Sequence, residues 1–375
     1  MISPSLDIDA LALPRRSVRR LMGEVMLALV PGTLAYAWLI GPGVLTNVAV
    51  AASVAIALEA AALRLRRRDP RPALGDGSIV LAAWLLALAV PPTLPPAQLA
   101  IGVTAAVLLG KHLYGGLGHN PFNPAMVGYA VLIVSFPVTM TAWPDAAAGS
   151  VDALRTGGTA IVSGATDDEP AWDALTGATP LDGLRTLSRE GAGDGTRGGG
   201  GDRASGDTRE MTRDGGAATD DGRGEVSLDA EGKGEVILGS AWAWINAAFL
   251  AGGLWMLVRG VIGWRIPTAM LGTLALLHWL HGALSVEPQP PVHAELLGGA
   301  AMLGAFFIAT DPVSAASGPR ARLLYGAGIG ALTFVLREYS AYPEGVAFAV
   351  LLMNATVPVL DRLSGPREAG PGEAR

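Results

Sequence analysis

A short polar motif that ends in a threonine is the part of this sequence with the clearest potential for chemistry. It runs Asp173-Ala174-Leu175-Thr176-Gly177-Ala178-Thr179. Because Gly177 and Ala178 carry almost no side chain, they leave the Thr179 hydroxyl open to a modifying enzyme. The motif therefore predicts Thr179 as the acceptor of a covalent group. The alternative is an unmodified surface turn that happens to contain a threonine.

Composition places this motif in a membrane protein. Half of the 375 residues are apolar and 16% are charged, and the mean hydropathy is +0.40. These values are typical of a chain that crosses a bilayer many times. The chain has no cysteine, so it cannot ligate an iron–sulfur cluster through thiolates or form disulfides. Redox chemistry would need an organic cofactor or a centre in a partner.

Ten apolar segments predict an all-α polytopic fold with about ten transmembrane helices. The first ends near Ile40 and exceeds the apolar core of a secretory signal peptide, so we expect it to be retained. The segment at about 78–90 is too short for an ordinary crossing, which predicts a broken or partly buried helix. The other segments lie at about 44–63, 97–110, 124–141, 237–258, 266–284, 293–310, 323–336 and 342–360.

Arginine placement predicts the orientation of the chain in the membrane. Four arginines precede the first segment, and a basic cluster at 64–71 follows the second. The positive-inside rule then puts both termini in the cytoplasm and residues 142–236, with the threonine motif, on the outer face of the membrane. The chain divides into a five-span half at 1–141, this external loop, and a second five-span half with a cytoplasmic tail at 237–375. An odd number of crossings inverts the second half, so related halves would be inverted repeats.

Residues 190–235 differ from the rest of the external loop. They include stretches such as Gly199-Gly200-Gly201-Asp202-Arg203 with no large apolar residue. Such a segment cannot bury enough surface to order itself, so we predict a flexible linker without a catalytic role.

Ionisable residues beside the apolar segments are candidates for an ion path. Asp76, Asp311 and Glu344 each lie next to glycine or proline at the end of a segment. An acidic group at membrane depth is a candidate for ion handling, although each of these could instead cap a helix. His278 and His281 could share a helix face, but no third ligand is evident, so we favour packing or interfacial roles over a metal site.

Several separated stretches together resemble one known family. They are Gly75-Asp76-Gly77-Ser78 with Pro91-Pro92; Lys111-His112-Leu113-Tyr114-Gly115-Gly116-Leu117-Gly118 with Asn120-Pro121-Phe122-Asn123-Pro124-Ala125; the motif ending at Thr179; Ala309-Thr310-Asp311-Pro312; and Tyr342-Pro343-Glu344-Gly345-Val346-Ala347-Phe348-Ala349 with Asn354. In these stretches the chain resembles the D-type subunit of Rnf ion-translocating electron-transport complexes, a relative of the B-type subunit of the sodium-pumping NADH:quinone reductase. The Gly/Asp/Arg-rich stretch after Arg189 departs from that pattern and looks like an insertion.

The resemblance implies FMN esterified through its phosphate to Thr179 by a flavin transferase, with Asp173, Thr176, Gly177 and Ala178 as the attachment motif. It also implies a second, noncovalent flavin such as riboflavin, and partner subunits that hold iron–sulfur and flavin centres. The implied function is electron relay through FMN coupled to transport of Na⁺ or H⁺. The chain would be one part of a translocase and not a complete enzyme alone, and no nucleic-acid partner is expected.

The loop between the fourth and fifth segments is a candidate for contacts with the second flavin or the ion path. It contains Gly115, Gly116, Gly118, Asn120 and Asn123. Irregular backbone at membrane depth is tolerated where it is buried in protein or lines a cavity, and its free amides would suit the carbonyl oxygens of a flavin. The alternative is a helix-breaking turn in which the same residues are purely structural.

Two alternatives remain open at this point. Ser163-Gly164-Ala165-Thr166 repeats the core of the attachment motif, but Ala160 replaces the aspartate, and Asp167-Asp168-Glu169 would repel a phosphate, so we favour Thr179 over Thr166. The alternative function is a secondary transporter or channel with inverted repeats, in which the threonine motif is incidental.

Overall fold

The protein, seen in a computed structural model, is described at residues 17–113, 120–144, 176–177, 241–285, 289–340 and 345–364, and helices form most of this part. The helices are α1 Val18–Leu39, α2 Gly43–Leu65, α3 Arg71–Gly75, α4 Ser78–Ala89, α5 Pro96–Val107, α6 Pro124–Ser135, α7 Pro137–Thr141, α8 Ala241–Val258, α9 Arg265–Leu284, α10 Val292–Leu297, α11 Ala301–Leu303, α12 Pro319–Tyr339 and α13 Val346–Leu363. Two π-helical turns, Leu108–His112 and Gly304–Ile308, extend α5 and α11.

The described helices support a multi-pass membrane protein. Four of them, α1, α2, α8 and α13, are long and apolar enough to cross a bilayer, and α4 and α6 are shorter apolar helices. Large apolar side chains point outward from this bundle, and Trp38, Leu65 and Val258 are each at least 86% exposed. Lipid, not water, suits such a surface.

The breaks in the helices follow glycine and proline. The expected short third segment is present as α4, which ends directly before Pro91-Pro92. The segment predicted at about 293–310 is not a single helix: α10 ends at Leu297, directly before Gly298, and α11 and the π-helical turn follow. Glycine is a poor helix former because its backbone loses the most freedom. The expected helix at 124–141 is likewise divided at Pro137, whose nitrogen cannot donate a hydrogen bond.

Helices α1 and α8 pack along each other in opposite directions. Near the start of α1, Glu24 Oε1 lies 3.5 Å from Arg259 Nη2, beyond the end of α8. Near the end of α1, the Tyr36 ring lies 5.6 Å from the Trp242 ring at the start of α8. Between these contacts the helices approach closely at Gly252, where a Cβ atom would overlap the Ala28 carbonyl oxygen.

The same order of packing occurs on both sides of the long external loop. Helix α2 packs against α4 and α5, and α5 packs against α6. In the second part of the chain α9 packs against α10 and α12, and α12 packs against α13.

Two short strands connect the loop to the bundle. β1 is Trp143–Pro144, directly after α7, and β2 is Thr176–Gly177 within the threonine motif. They pair antiparallel, with Trp143 opposite Gly177 and Pro144 opposite Thr176. Thr176 and Gly177 are thereby held beside the end of α7.

Candidate functional site

An aromatic cavity lies at the end of the bundle next to β1. We define this aromatic cavity by Tyr36 on α1, Tyr129 on α6, Trp143 on β1, and Trp242 and Asn246 on α8, all of which line it. The Trp143 and Trp242 rings meet edge to face with centroids 5.4 Å apart. Tyr36 is tilted by 55° against Trp242. Tyr36, Trp242 and Trp143 are therefore in one contiguous group.

One polar atom in the aromatic cavity has no partner. The Tyr36 hydroxyl is buried and makes no hydrogen bond to any residue in the described part of the chain. Asn246 lies nearby, but its amide nitrogen already donates to the Trp242 carbonyl at 3.0 Å and the Leu297 carbonyl at 2.8 Å. A buried hydroxyl without a partner is uncommon in proteins, and each case calls for an explanation.

The attachment motif reaches this cavity through β2. Gly177 is paired with Trp143, which lines the cavity, so Thr176 and Gly177 lie at its edge. Asp173, Ala178 and Thr179 lie outside the described residues, as do the rival Thr166 and the linker at 190–235.

A second, polar cavity lies at the other end of α1. We define this polar cavity by Ser78, Lys111, Asn120, Asn123 and Asp311, which line it together with Thr310 and the start of α1. The structure thus brings together three residues that the sequence singled out, Asn120, Asn123 and Asp311. Gly115, Gly116, Gly118 and Glu344 are outside the described residues.

The two asparagines hold the irregular backbone around the polar cavity. The Asn120 amide nitrogen donates to the carbonyls of Gly110 at 2.6 Å and Leu109 at 3.0 Å, at the end of the π-helical turn. The Asn123 side-chain oxygen caps α6 by accepting from the Ala125 nitrogen at 3.0 Å. Both have the structural role considered for this loop, and both also face the cavity.

The two described acidic candidates differ in their surroundings. Asp76 does not line the cavity, and its carboxylate accepts from the Ser78 nitrogen at 2.7 Å, at the start of α4. Asp311 lines the cavity and accepts from the Ser314 hydroxyl at 2.9 Å. Burial raises the pKa of Asp311 above the ordinary value of an aspartate, and the hydrogen bonds from Ser314 and Val313 oppose part of that rise.

A buried charge cluster supports the wall of the polar cavity. The Lys111 ammonium forms an ion pair with Glu59 Oε1 at 2.9 Å, and it donates to the Ser78 hydroxyl at 3.1 Å. His112 Nε2 lies 2.8 Å from the other Glu59 oxygen. All three charged side chains are at most 5% exposed. Arg66 also contacts this cluster, because its guanidinium donates to the His112 carbonyl oxygen at 2.8 Å.

Sequence reasoning did not single out Glu59 or the aromatic group. Glu59 had a signal, because an acidic residue inside an apolar segment is unusual. Tyr36, Trp143 and Trp242 had none, since aromatic residues near segment ends are common at membrane interfaces.

The histidines of α9 have separate partners. His278 Nε2 lies 2.7 Å from the Pro290 carbonyl oxygen. His281 Nε2 lies 3.4 Å from Glu338 on α12. Within the described part of the chain, no group of three metal-ligating side chains is present.

Comparison with known proteins identifies the family. Residues 10–370 match the model of the NQR2, RnfD, RnfE family. The chain is 42% identical to the D-type subunit of the ion-translocating oxidoreductase complex of Aeromonas hydrophila, with 95% of each chain covered. It is 43% identical to the subunit of the same name from Pseudomonas aeruginosa, covering 93% of this chain and 91% of the relative. For the Escherichia coli subunit the identity is 39% over 95% of each chain. These matches confirm the resemblance predicted from the sequence, and the chain belongs to the NQR2, RnfD, RnfE family.

Proposed function

We propose that this chain is the flavin-carrying membrane subunit of an ion-translocating oxidoreductase complex, and that it relays electrons through FMN esterified to Thr179. The similar proteins are named as subunits of such complexes. The chain lacks cysteine, so iron–sulfur centres belong to partner subunits. The chain is then one part of the enzyme, and a separate flavin transferase matures it.

The pairing of β1 with β2 is the observation that carries this proposal. It places Gly177, two residues before Thr179, opposite Trp143 at the edge of the aromatic cavity. Two residues of extended chain span at most about 7 Å. A group esterified to Thr179 would therefore stay near this cavity.

The residues of the aromatic cavity suit a flavin. Aromatic side chains supply flat apolar surfaces, and the unpartnered Tyr36 hydroxyl is available to an acceptor. Trp143, Trp242 and Tyr36 would hold the isoalloxazine, a planar ring edged with hydrogen-bond acceptors. When bound, FMN supplies the one- and two-electron chemistry that the side chains of this protein lack.

We assign the two cavities to opposite membrane faces. In this proposal the chain forms two inverted five-helix halves in the inner membrane, with cytoplasmic termini and a periplasmic loop at 142–236. The similar packing order of α2–α6 and α9–α13 supports related halves. The aromatic cavity then lies on the periplasmic side and the polar cavity on the cytoplasmic side.

The polar cavity is the best-supported place for the second flavin or the ion path. Its lining combines amides and a carboxyl group from separate parts of the chain, Asn120, Asn123 and Asp311, beside the cationic Lys111. A noncovalent flavin needs such polar contacts along one edge. Asp311 is also placed to interact with Na⁺ or H⁺, with Asp76 and Glu344 as further acidic candidates.

Flavin fluorescence of the denatured protein tests the central proposal. The full chain is produced with its native flavin transferase and examined in a denaturing gel, where only covalently bound flavin remains. Thr179→Ala should abolish the fluorescent band, because the acceptor hydroxyl is lost. Thr166→Ala is the matched control and should leave it intact.

Peptide mass spectrometry then decides between the open alternatives. The expected result is a flavin phosphate mass on the peptide that contains Thr179. Finding that mass on Thr166 would overturn the assignment of the site. Finding no flavin on the wild-type chain would favour the transporter or channel alternative.

A further inference from the structure

We propose that the Tyr36 hydroxyl donates a hydrogen bond to the isoalloxazine ring of the covalent FMN and thereby raises its reduction potential. The inference rests on the proposed function, since it takes FMN on Thr179 as given. Tyr36 lies on α1, far from the attachment motif in the sequence. It would help to position the ring and would adjust its reduction potential.

The chemistry of the surrounding side chains supports this role. Tyr36 is 1% exposed, and its hydroxyl has no hydrogen-bond partner among the described residues. Its aromatic neighbour Trp242 has only an N–H donor, so it cannot accept the hydroxyl proton. Asn246 lines the same cavity but makes no hydrogen bond with Tyr36 through either its oxygen or its nitrogen, and the nitrogen donates to the Trp242 and Leu297 carbonyls. An acceptor brought by a ligand would satisfy the hydroxyl.

An unpartnered hydroxyl is unfavourable in this environment, so the presence of tyrosine here indicates that the hydroxyl has a role. Burying a polar group without a hydrogen bond costs free energy, and a phenylalanine of the same shape would avoid that cost. The flavin ring carries carbonyl oxygens and ring nitrogens that accept hydrogen bonds. A donor at these atoms favours the reduced ring, because reduction increases the negative charge on them.

The position of Tyr36 fits the path from the attachment motif to the ring. Tyr36 contacts Trp242 and Trp242 contacts Trp143, whose backbone is paired with Gly177. The three aromatic residues thus connect the end of α1 to the motif. A ring tethered at Thr179 and lying in the aromatic cavity against these side chains would have the Tyr36 hydroxyl at its edge.

Redox titration of the Tyr36→Phe protein tests the inference. The full chain is purified within its complex after production with the flavin transferase. We expect the fluorescent band of the denatured protein to be unchanged, and the midpoint potential of the covalent FMN to shift to a more negative value. Infrared difference spectra should show a flavin carbonyl band at higher frequency, because a hydrogen bond to that carbonyl has been lost.

Tyr339→Phe is the matched control. Tyr339 is at the end of α12 and is 71% exposed, so its hydroxyl should affect neither the potential nor the carbonyl band. An unchanged potential and an unchanged carbonyl band in Tyr36→Phe, with covalent flavin present, would overturn the role of Tyr36 and leave the proposed function standing. A wild-type chain without covalent flavin would instead overturn both.

Discussion

Glu59 illustrates how much a single residue can contribute to the stability of the fold when its charge is buried. It is 1% exposed, and its two carboxylate oxygens lie 2.9 Å from the Lys111 ammonium and 2.8 Å from His112 Nε2. Replacing the buried pair by apolar groups can be nearly neutral, but removing one partner leaves an uncompensated charge in a medium of low dielectric constant. The stability of the π-helical turn that extends α5 therefore depends on its contact with Glu59 on α2.

We predict that Glu59→Gln strongly destabilises the protein. The expected loss is on the order of 3–5 kcal/mol, because Lys111 stays buried without its counter-charge. Thermal unfolding of the purified protein in detergent measures the change.

Glu338→Gln provides the control for this prediction. Glu338 pairs with His281 at 3.4 Å, and about a quarter of each side chain is exposed, so its loss should cost no more than about 1 kcal/mol. In Glu59→Gln combined with Lys111→Met, part of the stability should return because both charges are gone. Equal unfolding temperatures for Glu59→Gln and Glu338→Gln would contradict the prediction.

At the residue scale, the sequence predicted polar candidates better than the aromatic cavity. Asn120, Asn123 and Asp311 could be singled out because polar residues next to glycine or proline interrupt apolar segments, and the structure brings all three together. Tyr36 and Trp242 are far apart in the chain and have no spacing relation to the motif. Their juxtaposition depends on how α1 and α8 pack, which local patterns do not encode.

At the scale of elements, the positions of helices followed from hydropathy, and their continuity depended on glycine. The expected segments at 44–63 and 266–284 correspond closely to α2 and α9. The segment at 293–310 had enough apolar residues for a crossing, yet it is divided into short pieces near Gly298 and Gly304. Hydropathy indicates which segments favour an apolar environment. It does not show where the backbone hydrogen bonds of a helix are interrupted.

Packing of α1 against α8 depends on close approach at Gly252. We predict that Gly252→Ala destabilises the protein by about 1–3 kcal/mol, because the added methyl group would overlap the Ala28 carbonyl oxygen and separate the helices. The same thermal unfolding assay in detergent measures this, and the weakened contact should also lower the yield of folded protein.

The comparison with Gly272 isolates this steric effect from helix propensity. Gly272 lies within α9, and a Cβ atom there would have no heavy atom within 4 Å. Gly272→Ala should therefore be neutral or stabilise by up to about 1 kcal/mol, as expected for alanine in a helix. If Gly252→Ala raised the unfolding temperature as well, the close approach would not limit packing.

At the scale of the whole molecule, the charged side chains distinguish the two ends of the bundle. Glu24 near the start of α1 contacts Arg259 beyond the end of α8, and Arg66 contacts His112, which adjoins the polar cavity. Arg64, Arg67 and Arg68 are exposed near the same end, where α2 ends. The end with the aromatic cavity is instead marked by Trp143 and Trp242. The positive-inside rule therefore predicts that the arginine-rich end faces the cytoplasm.

This asymmetry leads to a prediction about topology that bears directly on the proposed attachment of FMN. A reporter active only in the periplasm should work when it is fused after residue 200, and it should fail when it is fused after Ile262, between α8 and α9. A reporter active only in the cytoplasm should give the opposite pattern. The reason is that the connection between α8 and α9 carries Arg259 and Arg265, which resist translocation, whereas long loops are largely exempt from that rule. Cytoplasmic activity at residue 200 would reverse the assignment of both cavities, and the flavin transferase would then have to act in the cytoplasm.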